Sequence, residues 1–329
     1  MGPALTIGQA RWPSPVDTAG RDTARVLDEA LLAGWCLRHL DAHLERVVFR
    51  SGQVSEVLGI ELSGGLHVVV KARPFQPRIT GCLRVQAELA DAGFPCPRPL
   101  TAATRVRDLT VTAEMSMPGG EPFRSEDGVA RFAALLARLI EAAPDHSSVP
   151  DLTPSPPWTG WDHLGRRLWP DLDEHGHDLN EATGPEWLED AARRVRGRLT
   201  RTPRRLRIGH GDWESQNIRW TDGEPLVVHD WDSVMAQPEA AIVGLAAAVW
   251  PREDRPDQLA SVAQTADFIA SYQHLTGREW DISEIRDAWA AGLWVRLFDA
   301  KQEMAQGGGP QLDRLAAEID ERLDRAALE

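Results

Sequence analysis

Three oxygen-bearing side chains within residues 208–234 have the types and spacing of a phosphoryl-transfer site: Asp212, Asn217 five residues later, and Asp230 thirteen beyond that. Carboxylate and carboxamide oxygens are hard donors suited to Mg²⁺, and a carboxylate also accepts a proton from an alcohol. Ile218-Arg219-Trp220 and Leu226-Val227-Val228 are short runs with β propensity, and Thr221-Asp222-Gly223-Glu224 between them forms a hairpin turn. A hairpin brings its two ends together, so the three side chains can converge despite their separation along the chain. Taken singly, each acid would read as a solvated loop carboxylate; it is the set that points to chemistry.

The spacing is similar to the protein-kinase catalytic loop H-R-D-x-x-x-x-N, which is followed after a hairpin by a metal-binding Asp. With Gly211 in place of the Arg, His210-Gly211-Asp212, Asn217 and Val228-His229-Asp230-Trp231-Asp232 resemble more closely the aminoglycoside phosphotransferase family, protein-kinase-like small-molecule kinases. The resemblance covers roughly residues 45–305 and is specific at 208–234 and around Lys71. It implies an α+β, two-lobe protein-kinase-like fold. Residues 1–117 would form a small antiparallel β-sheet lobe that binds nucleotide. Residues 118–329 would form a larger helical lobe carrying the catalytic loop and the substrate site. It also implies Asp212 as the catalytic base, Asn217 and Asp230 as ligands of Mg²⁺, and ATP or GTP as co-substrate. Asp232 is left between reaching a second metal and anchoring the loop, while His210 is expected to brace the loop.

The elements that must position these groups follow in chain order. Residues 1–20 are rich in Pro and Gly and read as an irregular arm, and apolar residues at helical spacing predict an amphipathic helix over 22–37. The period then changes to two, predicting strands at 47–49, 55–62 and 66–72. Ser51 and Gly52, between the first two strands, stand where a kinase-like lobe covers the nucleotide phosphates with backbone N–H groups, although one glycine alone also suits an ordinary turn. Lys71 ends the apolar run Val68-Val69-Val70. The resemblance makes it the lysine that pairs with the α- and β-phosphates; on the strand alone it would merely mark a strand end.

A helix over 81–92 leads to Pro97-Arg98-Pro99. The family's corresponding helix normally supplies a glutamate that holds the lysine, and the one glutamate available here is Glu88, more than a turn late. Glu88 serves, the helix is shifted, or the lysine is held another way. A strand over 109–117 would exit into the hinge, with Glu114, Met115, Ser116 and Met117 recognising adenine through the main chain. Helices are predicted at 125–143, 187–199, 240–249, 267–276 and 283–306, with a charged, peripheral helix at 312–328. Ala240-Ala241-Ile242 stands where the family often carries an Asp that braces the catalytic loop.

Residues 144–183 are the least regular, with Trp158, Trp161 and Trp169 among Asp162, Asp171, Asp173, Glu174 and Asp178. Acids beside aromatics suit an amine or amino sugar. His175-Gly176-His177-Asp178 has no further ligand spacing to support a metal, and a solvated loop is the simpler reading. Glu284, Asp287 and Asp299 are by default a solvated helix face.

The 329 residues, 42 % hydrophobic and 26 % charged, describe a globular chain long enough for a sizeable core. A net charge of −14 argues against a nucleic-acid partner and is compatible either with a cationic substrate or with simple solubility. No apolar run reaches the ~18 residues of a membrane span, and the first residues lack a signal-peptide pattern. Three cysteines without metal-ligand spacing suit a reducing cytoplasm. The favoured function is phosphotransfer from a nucleoside triphosphate to a hydroxyl of a small molecule, most directly an aminoglycoside or similar cationic antibiotic. The alternatives are a kinase for a metabolic alcohol (amino alcohol, sugar or nucleoside) and a nucleotide-binding pseudokinase.

Overall fold

A computed structural model describes residues 27–52, 55–123, 128–171, 178–201, 204–253 and 258–328. The first helix, α1 (Glu29–Leu40), is capped by Asp28, whose carboxylate accepts from the Leu31 N–H. Five strands follow: β1 (Leu44–Ser51), β2 (Glu56–Leu62), β3 (Leu66–Pro74), β4 (Thr104–Val106) and β5 (Leu109–Met115), with helix α2 (Ile79–Asp91) between β3 and β4. They form one antiparallel sheet in the order β1-β2-β3-β5-β4.

Alternation decides which face does what. Leu58, Ile60 and Leu62 of β2, Val68, Val70 and Ala72 of β3, and Val111 and Ala113 of β5 are buried together with Leu32, Trp35 and Cys36 of α1. A period of two therefore sends Lys71, Arg73, Thr112 and Glu114 to the opposite face, with Lys71 paired to Thr112 in register. A second, larger core holds the remaining helices: α3 (Gly128–Ala142), α4 (Glu186–Leu199), α5 (Glu239–Val249), α6 (Val262–Thr276), α7 (Ile282–Ala305) and α8 (Pro310–Arg325). Cys82, Val85 and Leu89 of α2 belong to this larger core as well. α5 is buried on every side and lies so close to α7 that a Cβ on Gly244 would stand 1.9 Å from the Ala288 carbonyl oxygen.

The catalytic segment consists of two nested antiparallel pairs. β6 (Leu206–His210) pairs with β9 (Val234–Pro238), and inside them β7 (Ile218–Thr221) pairs with β8 (Glu224–Val228). The inner hairpin matches the sequence expectation; the outer pair and β4 were not anticipated. The peripheral placement of the last helix is corrected: Leu315 and Arg322 of α8 are fully buried, and the Arg322 guanidinium donates to the Ala260 carbonyl at 2.8 Å. The expected arm over 1–20 and the start of the first helix lie outside the described residues. No helix among the described residues is long and apolar enough to cross a membrane.

Candidate active site

The nested pairs explain the convergence. At the mouth of the outer pair His210 faces Val234, and the Gly211 N–H donates to the Ser233 carbonyl at 2.7 Å. At the mouth of the inner pair the His229 N–H donates to the Asn217 carbonyl at 2.8 Å. Both ends of the loop 211–217 and of the turn 229–233 are thus tied to one another. The Asn217 amide closes the loop from within, donating to the Asp212 carboxylate at 2.7 Å and to its carbonyl at 3.0 Å.

His210 is fully buried. Its Nδ1 accepts from the Asp212 N–H at 3.1 Å, which leaves Nε2 protonated to donate to the His229 carbonyl at 2.9 Å. Burial lowers its pKa, so the ring is a neutral brace with both nitrogens engaged. Gly211 fits because a Cβ there would come within 3.0 Å of the Ser233 carbonyl oxygen, and its own carbonyl accepts from the Trp158 indole at 2.7 Å.

Lys71 reaches this turn from β3. Its ammonium stands 3.4 Å from the Asp230 carboxylate and 3.5 Å from that of Glu114. Burial disfavours the charged lysine, but Glu114, Asp230 and Asp232 outweigh it, and the ammonium is held charged. Asp230 adopts a left-handed backbone (φ 62°) and keeps its carboxylate 47 % exposed, open to the cleft. Asp232 turns the other way, onto Arg73 at 2.6 Å. Burial pushes that carboxyl up, but Arg73 and Lys71 hold it down at about 2. Asp232 therefore anchors the turn to β3. Arg78 adds bonds to the Asp232 and Val234 carbonyls.

Asp212 is half-buried, and its pKa is pushed up to about 6, first by burial and then by the nearby Asp230 charge. Behind it, Glu214 bonds Arg252 at 2.7 Å, and Arg252 also binds Asp299. The Ser215 and Gln216 N–H groups donate to the Trp250 and Arg252 carbonyls at 2.9 and 3.0 Å. These contacts tie the loop to residues 250–252 and to Asp299, where residues 240–242 carry no Asp.

A family model described as the phosphotransferase enzyme family matches residues 45–280. The chain belongs to the phosphotransferase enzyme family. It is a small-molecule kinase by that membership, and its nested pairs and Lys71 all lie inside the matched span. Among solved structures, the chain is similar to amicoumacin kinase hAmiN in complex with AMP-PNP, Ca²⁺ and Ami, with 14 % identity, 92 % of this chain and 94 % of that chain covered, and a TM-score of 0.63. It is similar to a thermostable mutant of aminoglycoside phosphotransferase APH(4)-Ia in a ternary complex with AMP-PNP and hygromycin B (14 % identity, 90 % and 99 % covered, TM-score 0.59). It also resembles an aminoglycoside phosphotransferase from Alicyclobacillus acidocaldarius (16 % identity, 94 % and 97 % covered, TM-score 0.53). At these identities the likeness shows the two-lobe, protein-kinase-like fold. No curated protein sequence matches the chain.

In this phosphotransferase the predicted residues fall into two groups. Asp212, Asn217, Asp230 and Lys71 come together as described. Ser51 and Gly52 lie at the same end of the sheet: Ser51 pairs with Val57 and Val57 with Lys71, two strand spacings or roughly 10 Å away. Gly52 has φ +109°, and a Cβ there would stand 1.8 Å from the Ser55 carbonyl oxygen, so only glycine fits the turn.

The hinge residues differ from expectation. The Glu114 backbone is paired with Val69 on one side and bridged to Pro99 on the other, so it is held in the sheet, and its side chain faces Lys71. The Met115 and Ser116 N–H groups already donate to the Arg98 and His67 carbonyls at 2.8 and 3.2 Å. The Ser116 N–H is thereby engaged within the sheet. The Met117 N–H has no backbone partner among the described residues, and the Met115 and Ser116 N–H groups are taken. Of the three alternatives left open for Lys71, the first does not hold: Glu88 sits on the outer face of α2 and pairs with Arg84.

Several of the acids and aromatics among the described residues of 144–183 are likewise engaged in structure. Trp161 and Trp169 are buried, Asp162 accepts from Gln237 at 2.7 Å, and Asp171 and Asp178 both bind Arg167. Asp173, Glu174, His175 and His177 lie outside the described residues. Asp287 pairs with Arg198 and Arg204 at 2.9 and 2.8 Å, and Asp299 with Arg252, so neither lies on a merely solvated face. Sequence reasoning missed Arg73, the contact of the Glu114 side chain with Lys71 and the Gln86 amide that donates to Glu114; the alternation Thr110, Thr112, Glu114 within β5 was the available signal for the second.

Proposed function

We propose that this kinase moves the γ-phosphate of ATP or GTP to a hydroxyl of a hydroxyl-rich small molecule of the antibiotic class. The observation that carries this is the convergence of Asp212, Asn217, Asp230 and Lys71 at the junction of sheet and helices. Asn217 uses its amide hydrogens on Asp212, which leaves its oxygen free, and Asp230 offers a half-exposed carboxylate beside it. Two hard oxygens suit Mg²⁺, which takes few protein ligands and completes its shell from phosphates and water. Mg²⁺ held by Asn217 and Asp230 would neutralise phosphate charge. Lys71 steadies the α- and β-phosphates, and the N–H groups around Ser51 and Gly52 cover them.

Asp212 orients the acceptor hydroxyl and takes its proton as the oxygen attacks in line. Met115 and Met117 hold the base through the main chain, with the lobe boundary at 117/118. The complexes of the similar structures with hygromycin B and with Ami support an antibiotic acceptor. Of the acids that the sequence set beside aromatics, Asp162, Asp171 and Asp178 already have partners, so they give a cationic acceptor little support.

Nucleotide binding is the first test. With Mg²⁺ present, ATP or GTP at 100-fold over its dissociation constant should stabilise the fold by ~2.7 kcal/mol, and much less without the metal. Melting curves indifferent to both nucleotides, with and without Mg²⁺, would contradict the reading.

A further inference from the structure

We infer that Glu114, on β5, is the residue that positions Lys71 for the nucleotide, taking over a task that no carboxylate on α2 performs. The inference rests on the kinase reading above and adds to it a residue and a mechanical consequence. Lys71 has two carboxylate partners at similar distance, 3.4 Å for Asp230 and 3.5 Å for Glu114. Asp230 is 47 % exposed and carries the metal in the proposed mechanism, so its charge is shared once Mg²⁺-nucleotide binds. The Glu114 side chain is 8 % exposed and has no such second task.

Glu114 is itself fixed from the other side. The Gln86 amide donates to Glu114 Oε2 at 2.9 Å and to the Pro97 carbonyl at 2.8 Å, so α2 contributes an amide where a carboxylate was sought. Orientation of Glu114 therefore comes from Gln86, and orientation of Lys71 from Glu114. Glu88 cannot substitute, because it lies on the outer face with Arg84.

The consequence is mechanical. Lys71 and Glu114 belong to adjacent strands of one sheet, in a diagonal relation set by the register Lys71 with Thr112 and Val69 with Glu114. A pair within one sheet does not break when a helix shifts. The register of the two strands thus sets the pair, and α2 acts on it through the Gln86 amide.

A double-mutant cycle on Mg²⁺-nucleotide affinity and turnover tests this, with melting temperature recorded for each variant. Glu114→Gln is isosteric and is expected to lower kcat/KM for the nucleotide roughly 10- to 100-fold, the scale of a misplaced positioning group, with the acceptor KM unchanged. In a Lys71→Met background the same change should have little further effect on Mg²⁺-nucleotide affinity, because it acts through the lysine. Glu88→Gln should behave as wild type. If Glu114→Gln fails to fold, Glu114→Asp, which keeps the charge one methylene shorter, is put through the same cycle with a smaller expected loss.

Wild-type kinetics in Glu114→Gln, or an equal loss of nucleotide affinity with and without Lys71, overturns the inference while leaving the kinase reading intact. Failure of the wild type itself to bind ATP or GTP overturns the kinase reading and this inference with it.

Discussion

Asp212→Asn is expected to bind Mg²⁺-nucleotide nearly as wild type does and to transfer phosphate at least ~10²-fold more slowly. The substitution keeps the shape of the side chain, and its oxygen can still accept from Asn217. What it removes is the charge and the proton affinity. Nucleotide binding rests on Lys71, Asn217 and Asp230, which are untouched.

The same variant should also be more stable at neutral pH. In the folded chain without metal Asp212 keeps its proton up to about pH 6, against the ordinary 3.8 when unfolded. Between those values the folded state binds more protons, so stability falls as pH rises and stays low above about 6. Asn does not titrate, so at neutral pH and without Mg²⁺ the variant should gain about 1–3 kcal/mol, allowing for the partial exposure of Asp212. Melting curves across pH check this. A variant less stable than wild type at neutral pH would show that the carboxylate is not strained where it sits.

Arg252→Ala should produce the largest loss of stability, about 3–5 kcal/mol, because it strands two buried carboxylates. The side chains of Glu214 and Asp299 are 3 % and 10 % exposed, and Arg252 is their shared cation. Burial and the Asp212 charge already raise the Glu214 pKa against the pull of Arg252. Without the guanidinium Glu214 holds its proton still more tightly in the folded state, so the defect should shrink as pH falls and grow as it rises. Calorimetric melting at several pH values measures it; a melting temperature unchanged from wild type would remove this brace from the account.

Local patterns were legible and long-range pairings were not. The hairpin of β7 and β8 is written in Ile218-Arg219-Trp220, the Asp222-Gly223 turn and Leu226-Val227-Val228, all neighbours in sequence, and Lys71 announces itself at the end of an apolar strand. The partner of Lys71 depends on β5 lying beside β3 rather than β4, which no local period reveals. The pairing of β6 with β9 requires the chain to close around the hairpin, and neither strand is long enough to signal its mate. The partners of the described acids in 144–183 were hidden for the same reason. Composition shows that carboxylates and tryptophans lie close in sequence, but not that Arg167 binds Asp171 and Asp178 or that Trp169 donates its indole N–H to Glu189 at 3.0 Å. α8 looked peripheral because its surface is charged, yet Arg322 is turned inward onto a backbone carbonyl.

The most direct measurement is transfer of label from γ-labelled ATP and GTP, with Mg²⁺, to a panel of aminoglycosides, other hydroxyl-bearing antibiotics and metabolic alcohols. Wild-type protein is expected to yield a phosphate ester on an antibiotic hydroxyl, and Asp212→Asn to yield almost none. Label passing only to a metabolic alcohol would overturn the antibiotic assignment, and tight Mg²⁺-nucleotide binding with no transfer to any acceptor would contradict the account of Asp212 as a working catalytic residue.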